Sequence, residues 1–76
     1  MQLKRLHWVE DFGSLRAYLD IEIQGIRINS IRLYEENDSQ WFEYYKSGYD
    51  DLVMFDLEAQ QEMFKLIGEW NDRAFV

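Results

Sequence analysis

The chain has no cysteine, no proline and a single histidine. Without cysteine there is no disulfide, no thiolate nucleophile and no Cys-ligated zinc, and the redox compartment is unmarked. One histidine leaves a transition-metal centre short of ligands, so His7, beside Trp8, reads as an ordinary strand residue. No apolar run approaches the length that spans a bilayer, and no apolar segment follows Lys4-Arg5 as in a secretory signal, so the expected location is cytoplasmic. Also missing are a G-x-S-x-G elbow, a phosphate-binding glycine loop and a nucleophile beside its base. The acidic pairs Glu10-Asp11, Glu35-Glu36 and Asp50-Asp51 lack the alternating oxygen spacing of a calcium loop and read as turn and surface chemistry. These absences point away from an enzyme and imply no cofactor and no metal.

What is present is apolar and aromatic mass. Almost half of the 76 residues are apolar and 17% are aromatic, enough for a packed core in one domain, residues 1–76. A chain this short buries only about 60–65% of its unfolded surface, so a partner subunit would add stability. Charge is uneven: residues 1–34 carry +1 and residues 35–76 carry −8, for a total of −7. An acid-rich half repels phosphate and membrane surfaces and attracts basic partners.

The stretch SLRAYLDIEIQGIRINSIRLYEEN alternates apolar and polar residues. Leu15, Ala17, Leu19, Ile21 and Ile23 point one way and Arg16, Tyr18, Asp20 and Glu22 the other, the pattern of a half-buried strand. Gln24-Gly25 predicts a tight turn at which glycine permits positive φ. On the return strand Ile26 and Ile28 are followed by Ile31 and Leu33, so the parity slips between Asn29 and Ser30 and predicts a β-bulge. Glu36 to Ser39 should close a second hairpin. In WFEYYK, Trp41, Glu43 and Tyr45 share one face and Phe42, Tyr44 and Lys46 the other, so both faces are aromatic. Such a strand is covered on both sides or lies at a subunit contact, which makes Trp41, Phe42, Tyr44 and Tyr45 candidates for a dimer interface.

Ser47 to Asp51 reads as a loop and Leu52 to Phe55 as a short strand, after which the period changes. Asp56 is a suitable N-cap, and Ala59, Met63, Leu66 or Ile67, and Trp70 recur at helical spacing up to about Asn71. At the other end Leu3, Leu6, Trp8 and Val9 make a less regular strand that turns at Asp11 to Ser14. The expected fold is α+β: an antiparallel four- to five-stranded sheet with one C-terminal helix packed on one face.

Several of these residues form a recognisable set. Leu3-x-x-Leu6-x-Trp8, Arg16-Ala17 with Asp20-Ile21, and Ile26-x-Ile28-x-x-Ile31-Arg32 leading to an Asn/Asp turn resemble the septation and sporulation regulator family named for stage V sporulation protein G. The resemblance covers roughly residues 1–45, and the C-terminal helix only in kind. It implies a small sheet-plus-helix regulator that dimerises through its sheet and, in several members, binds nucleic acid. Where the family has a proline and a basic loop after the fourth strand, this chain has Tyr45-Lys46-Ser47-Gly48 and then Asp50-Asp51, with Lys46, Lys65 and Arg73 isolated among acids. Nucleic-acid binding is therefore not carried over to those positions.

The functional expectation is a small non-enzymatic interaction or regulatory protein, acting as a sheet-based homodimer with an acidic surface. Its protein-binding candidates are Arg16, Tyr18, Asp20 and Glu22 on the open face and Asp50, Asp51, Glu58, Glu62 and Glu69 around the helix. The partner is a basic protein or nucleoprotein; direct nucleic-acid contact would fall to Lys4, Arg5, Arg16, Arg27 and Arg32, against the charge of the whole. Two alternatives stand beside it. One is a phage-type acidic inhibitor, an anti-CRISPR or anti-nuclease protein mimicking nucleic acid; the other is a small-ligand binder at an aromatic dimer seam.

Overall fold

Tight turns with positive φ set the topology. In a computed structural model, which describes residues 1–45 and 52–73, Gln24-Gly25 have φ of 51° and 80° and Asn37-Asp38 have φ of 50° and 66°. Two successive left-handed residues twist a hairpin in the sense that its strands require. Gly13, with φ 65°, turns the chain between the first two strands. The strands are β1 (Gln2–Phe12), β2 (Leu15–Ile23), β3 (Ile26–Glu36), β4 (Ser39–Tyr45) and the two-residue β5 (Leu52–Val53), followed by the helix α1 (Leu57–Arg73). All neighbours are antiparallel and lie in chain order, so the sheet is an open meander. The expected α+β architecture, one sheet and one C-terminal helix, is present.

The core follows from the alternation in β2. Ala17, Leu19 and Ile21 are fully buried, and across the ladder Leu33 faces Ala17 and Ile31 faces Leu19. Fully burying each of the Leu and Ile side chains contributes about 1.5–3 kcal/mol. Met63 and Ile67 of α1 complete the roofed side, and Phe64 meets Phe42 with ring centroids 4.7 Å apart. The helix starts where the sequence places its cap: the Ala59 N–H donates to Asp56 Oδ1 at 2.8 Å and the Gln60 N–H to the Asp56 carbonyl at 3.0 Å. This satisfies first-turn donors that have no partner inside the helix.

Among the described residues four register shifts break the ladders. Leu19 pairs with Ile31 but Ile21 with Ile28, so β3 carries one extra residue at Asn29-Ser30, and Ser30 has φ of 62°. This is the bulge that the parity slip predicts. A second register shift lies in β1, where Leu3 pairs with Ile21 and Arg5 already with Asp20. It explains why Leu3 and Leu6, three residues apart, both pack on the core. A third shift, between Leu15 and Ala17, falls at Arg16, and a fourth lies in β1 between Trp8, which pairs with Ala17, and Phe12, which pairs with Leu15.

Candidate functional site

The face of the sheet away from α1 is built by cross-strand rows. His7 faces Tyr18, Tyr18 faces Arg32, and Arg32 faces Glu43; one row further along, Tyr34 faces Trp41. Directly opposed residues share a face, and Tyr18 lies between the buried Ala17 and Leu19, so these rows belong to the unroofed side. Tyr34 and Trp41 stack with centroids 5.6 Å apart and planes 13° from parallel. The Arg32 guanidinium lies over two rings, 5.2 Å from the centre of Tyr45 and 6.0 Å from that of Tyr18. Each such contact contributes about 0.5–1 kcal/mol where partly exposed. Tyr18, Arg32, Tyr34, Trp41, Glu43 and Tyr45 are all half-buried, which leaves a band of aromatic edges around one cation within reach of a partner.

The band has its own electrostatics. The Tyr45 phenol is pushed above its ordinary value, first by partial loss of water and then by the Glu43 carboxylate, to which its hydroxyl donates; Tyr34 acts in the same sense and Arg32 in the opposite one. At neutral pH the phenol is protonated and able to donate.

Beside the band sits Asp20, which is only 4% exposed although it occupies a polar position of β2. Its location between two bulges gives the reason. Oδ1 accepts the Ser30 N–H at 2.8 Å, and Oδ2 meets Arg27 Nη2 and Arg5 Nε at 3.2 Å each. The carboxylate thus takes up a backbone donor that the bulge removes from the ladder, while two half-exposed arginines cover it. Asp20 is consequently corrected from a surface contact to an internal bracket of the sheet. Glu22 is half-buried and pairs with Lys4 at 3.6 Å, and Arg16 pairs with Glu35 at 3.8 Å at the end of the ladder. Of the four residues expected to meet a partner on this face, Tyr18 is the one that lies in the aromatic band.

The candidates on β4 divide in the same way. Trp41 and Tyr45 lie in the band, whereas Phe42 is fully buried against Leu33 and Phe64, and Tyr44 packs at the edge of the core. Phe42 is corrected to a core residue, because a seam through it would require α1 to lift off. Glu58, Glu62 and Glu69 are exposed on α1, with Glu62 also 3.6 Å from the amino group of Met1; Asp50 and Asp51 lie outside the described residues. Arg32 and Tyr34 are the members of the band that sequence reasoning did not assign to it, whereas alternation in β4 already places Glu43 on the face of Trp41 and Tyr45. The signal for Tyr34 was the register of β3 on β4, which becomes readable once the Asn37-Asp38 turn is fixed.

Among the described residues no cluster of side chains could hold a metal ion, and no helix is long and apolar enough to cross a membrane. No protein-family model, curated protein or solved structure matches the chain.

Proposed function

We propose that this is a non-enzymatic interaction protein of regulatory type, a sheet-based homodimer that recognises another protein through the aromatic band of its open face. The observation that carries the reading is the composition and order of that band. Tyr, Trp and Arg are the residue types in which interface energy concentrates, and here Tyr34 is stacked on Trp41 while Arg32 is held between Tyr18 and Tyr45. Side chains already ordered in the free protein lose less entropy on binding.

A protein partner fits better than nucleic acid. Of the five basic residues in the amino half, Lys4, Arg5, Arg16 and Arg27 each pair with a carboxylate, and Arg32 lies across the ladder from Glu43. Phosphate would have to displace those pairs, and Glu22 and Glu43 would repel it. Titration with single-stranded and duplex oligonucleotides at low salt is the decisive measurement: no binding is expected, and a shift abolished by Tyr18→Ala would assign the face to bases instead.

A second reading is favoured by the exposed acids of α1. Glu58, Glu62 and Glu69 are exposed on the helix and would suit a basic nucleic-acid channel, as in an acidic inhibitor of nucleases or CRISPR effectors. Such a protein would compete with DNA for a basic nuclease, and Glu58→Lys with Glu62→Lys and Glu69→Lys would abolish competition. Loss of competition in Tyr18→Ala and Trp41→Ala, with the helix charges intact, would return the activity to the sheet face.

A further inference from the structure

We infer that the outer edge of β1 is a self-complementary seam through which two copies of this chain pair antiparallel, joining their sheets edge to edge around His7. The inference rests on the homodimer reading above and adds the strand that forms it. Among the described residues no strand lies beyond β1, so the backbone of an 11-residue strand is open on that side. An open edge of this length is a template for another strand, and charged residues along it select which one.

The charge order of β1 selects its own copy. The strand reads Gln-Leu-Lys-Arg-Leu-His-Trp-Val-Glu-Asp-Phe, basic near one end and acidic near the other. Parallel pairing in register would set Lys4 against Lys4 and Glu10 against Glu10. Antiparallel pairing about His7 sets Lys4 of each copy opposite Glu10 of the other, twice in the same interface, as a two-fold requires. The same register preserves the faces of the sheet. Leu6 and Trp8 oppose Leu19 and Ala17 in β2, so both lie on the roofed side, and the pairing sets Leu6 of each copy against Trp8 of the other.

Trp8 is the side chain left over by the single chain. It is 48% exposed on the roofed side of an edge strand and lies outside the core cluster of Leu19 and Ile21. Further along the same edge, α1 and the start of β1 leave an open groove of about 350 Å³ lined by Leu3, Lys4, Leu66, Glu69 and Trp70 among others. The edge of β4 offers no comparable match: its segment Ser39–Tyr45 holds a single charged residue, Glu43, and β5 caps it at Tyr44-Tyr45.

Light scattering on the full chain should give the mass of two 9.3 kDa chains at micromolar concentration. Because the chain has no cysteine, His7→Cys introduces a single thiol, and mild oxidation should convert it to a covalent dimer while Gln40→Cys on β4 stays monomeric under denaturing conditions. Trp8→Glu should weaken association roughly thirtyfold, as removal of a central aromatic contact does. Lys4→Glu should weaken it roughly tenfold by reversing two copies of one cross-strand pair, and Lys4→Glu with Glu10→Lys should restore it. Recovery in the double variant cannot arise within one chain, since the intramolecular partner of Lys4 is Glu22. A 9.3 kDa species at every concentration would overturn both the dimer and its seam. A dimer that cross-links through Gln40→Cys, or that Trp41→Ala dissociates while Trp8→Glu does not, would leave the dimer standing and overturn the β1 seam.

Discussion

The two faces of this sheet are made from the same strands, residue by residue in alternation, yet they are closed by different means. The roofed face is closed by another element: Met63, Phe64 and Ile67 of α1 lie over a layer of Ala17, Leu19, Ile21, Ile31, Leu33 and Phe42. The open face is closed by its own long side chains. Arginines fold over Asp20, Arg32 lies across Tyr18 and Tyr45, and Trp41 stacks on Tyr34. In a chain too small to supply a second layer, amphipathic side chains take its place, with apolar stems and rings laid on the sheet and polar tips left in water. An open face of this kind is half-buried and ordered, which distinguishes it from a merely solvated one.

The largest expected effect breaks the roofed face. Phe42→Ala removes a fully buried ring from between Leu33 and Phe64 and should cost about 3–5 kcal/mol in urea or thermal unfolding. A loss below about 1 kcal/mol would mean that β4 and α1 pack independently of the ring. That outcome would also reopen the place of Phe42 at a subunit contact.

Next in size is the bracket on the other face. Asp20→Ala leaves the Ser30 N–H without its acceptor and frees Arg5 and Arg27, for an expected loss of about 2–3 kcal/mol. The ion pairs supply the smaller part, because both arginines are half in water. Asp20→Asn, which keeps an acceptor for Ser30, should therefore recover more than half of the loss. Equal losses in the two variants would assign the stabilisation to charge instead, and would make the open face a salt-sensitive one.

The contrast between the faces also marks how far the sequence could be read. Alternation in β2, the parity slip at Asn29-Ser30 and the helical stripe ending in Trp70 made the roofed face legible, because burial by a separate element imposes a strict period. The Asn37-Asp38 turn and the Asp56 cap were legible for local reasons, through residues that tolerate positive φ or accept a backbone N–H. The open face was legible only in outline. Asp20 looked like a surface acid, and its burial depends on two bulges in different neighbours, of which the one in β1 is masked by the irregular sequence Leu3-Lys4-Arg5-Leu6. Phe42 and Trp41 could not be sorted between core and surface while both faces of β4 were aromatic; the register on Leu33 and Tyr34 sorts them.

Smaller again is the effect of opening the aromatic band. Arg32→Ala removes the cation from Tyr18 and Tyr45 and should cost about 1 kcal/mol in stability, with Arg32→Lys recovering only part of it, since an ammonium lacks the plane that lies on the rings. The comparison of interest is with partner binding. If the band is a recognition surface, Arg32→Ala should impair association by far more than its stability loss explains. If both fall together, the guanidinium acts only as a strut.

The smallest expected effect lies in alkaline titration of the same band. Partial desolvation and the Glu43 carboxylate hold the Tyr45 phenol above its ordinary value in the folded chain, so the unfolded chain releases that proton first as pH rises. The stability this phenol contributes is fully present below its unfolded value near 10.0 and is lost as pH rises through the higher folded one. Tyr45→Phe should flatten that alkaline limb of the unfolding curve, and the difference in absorbance titration between the wild type and Tyr45→Phe should show this phenol ionising above its ordinary value. Glu43→Gln should bring the titration partly back, since it removes the second cause and leaves the first. If Tyr45 ionised at its ordinary value, the side chain would be in water, and the open face would be no more ordered than an ordinary polar surface.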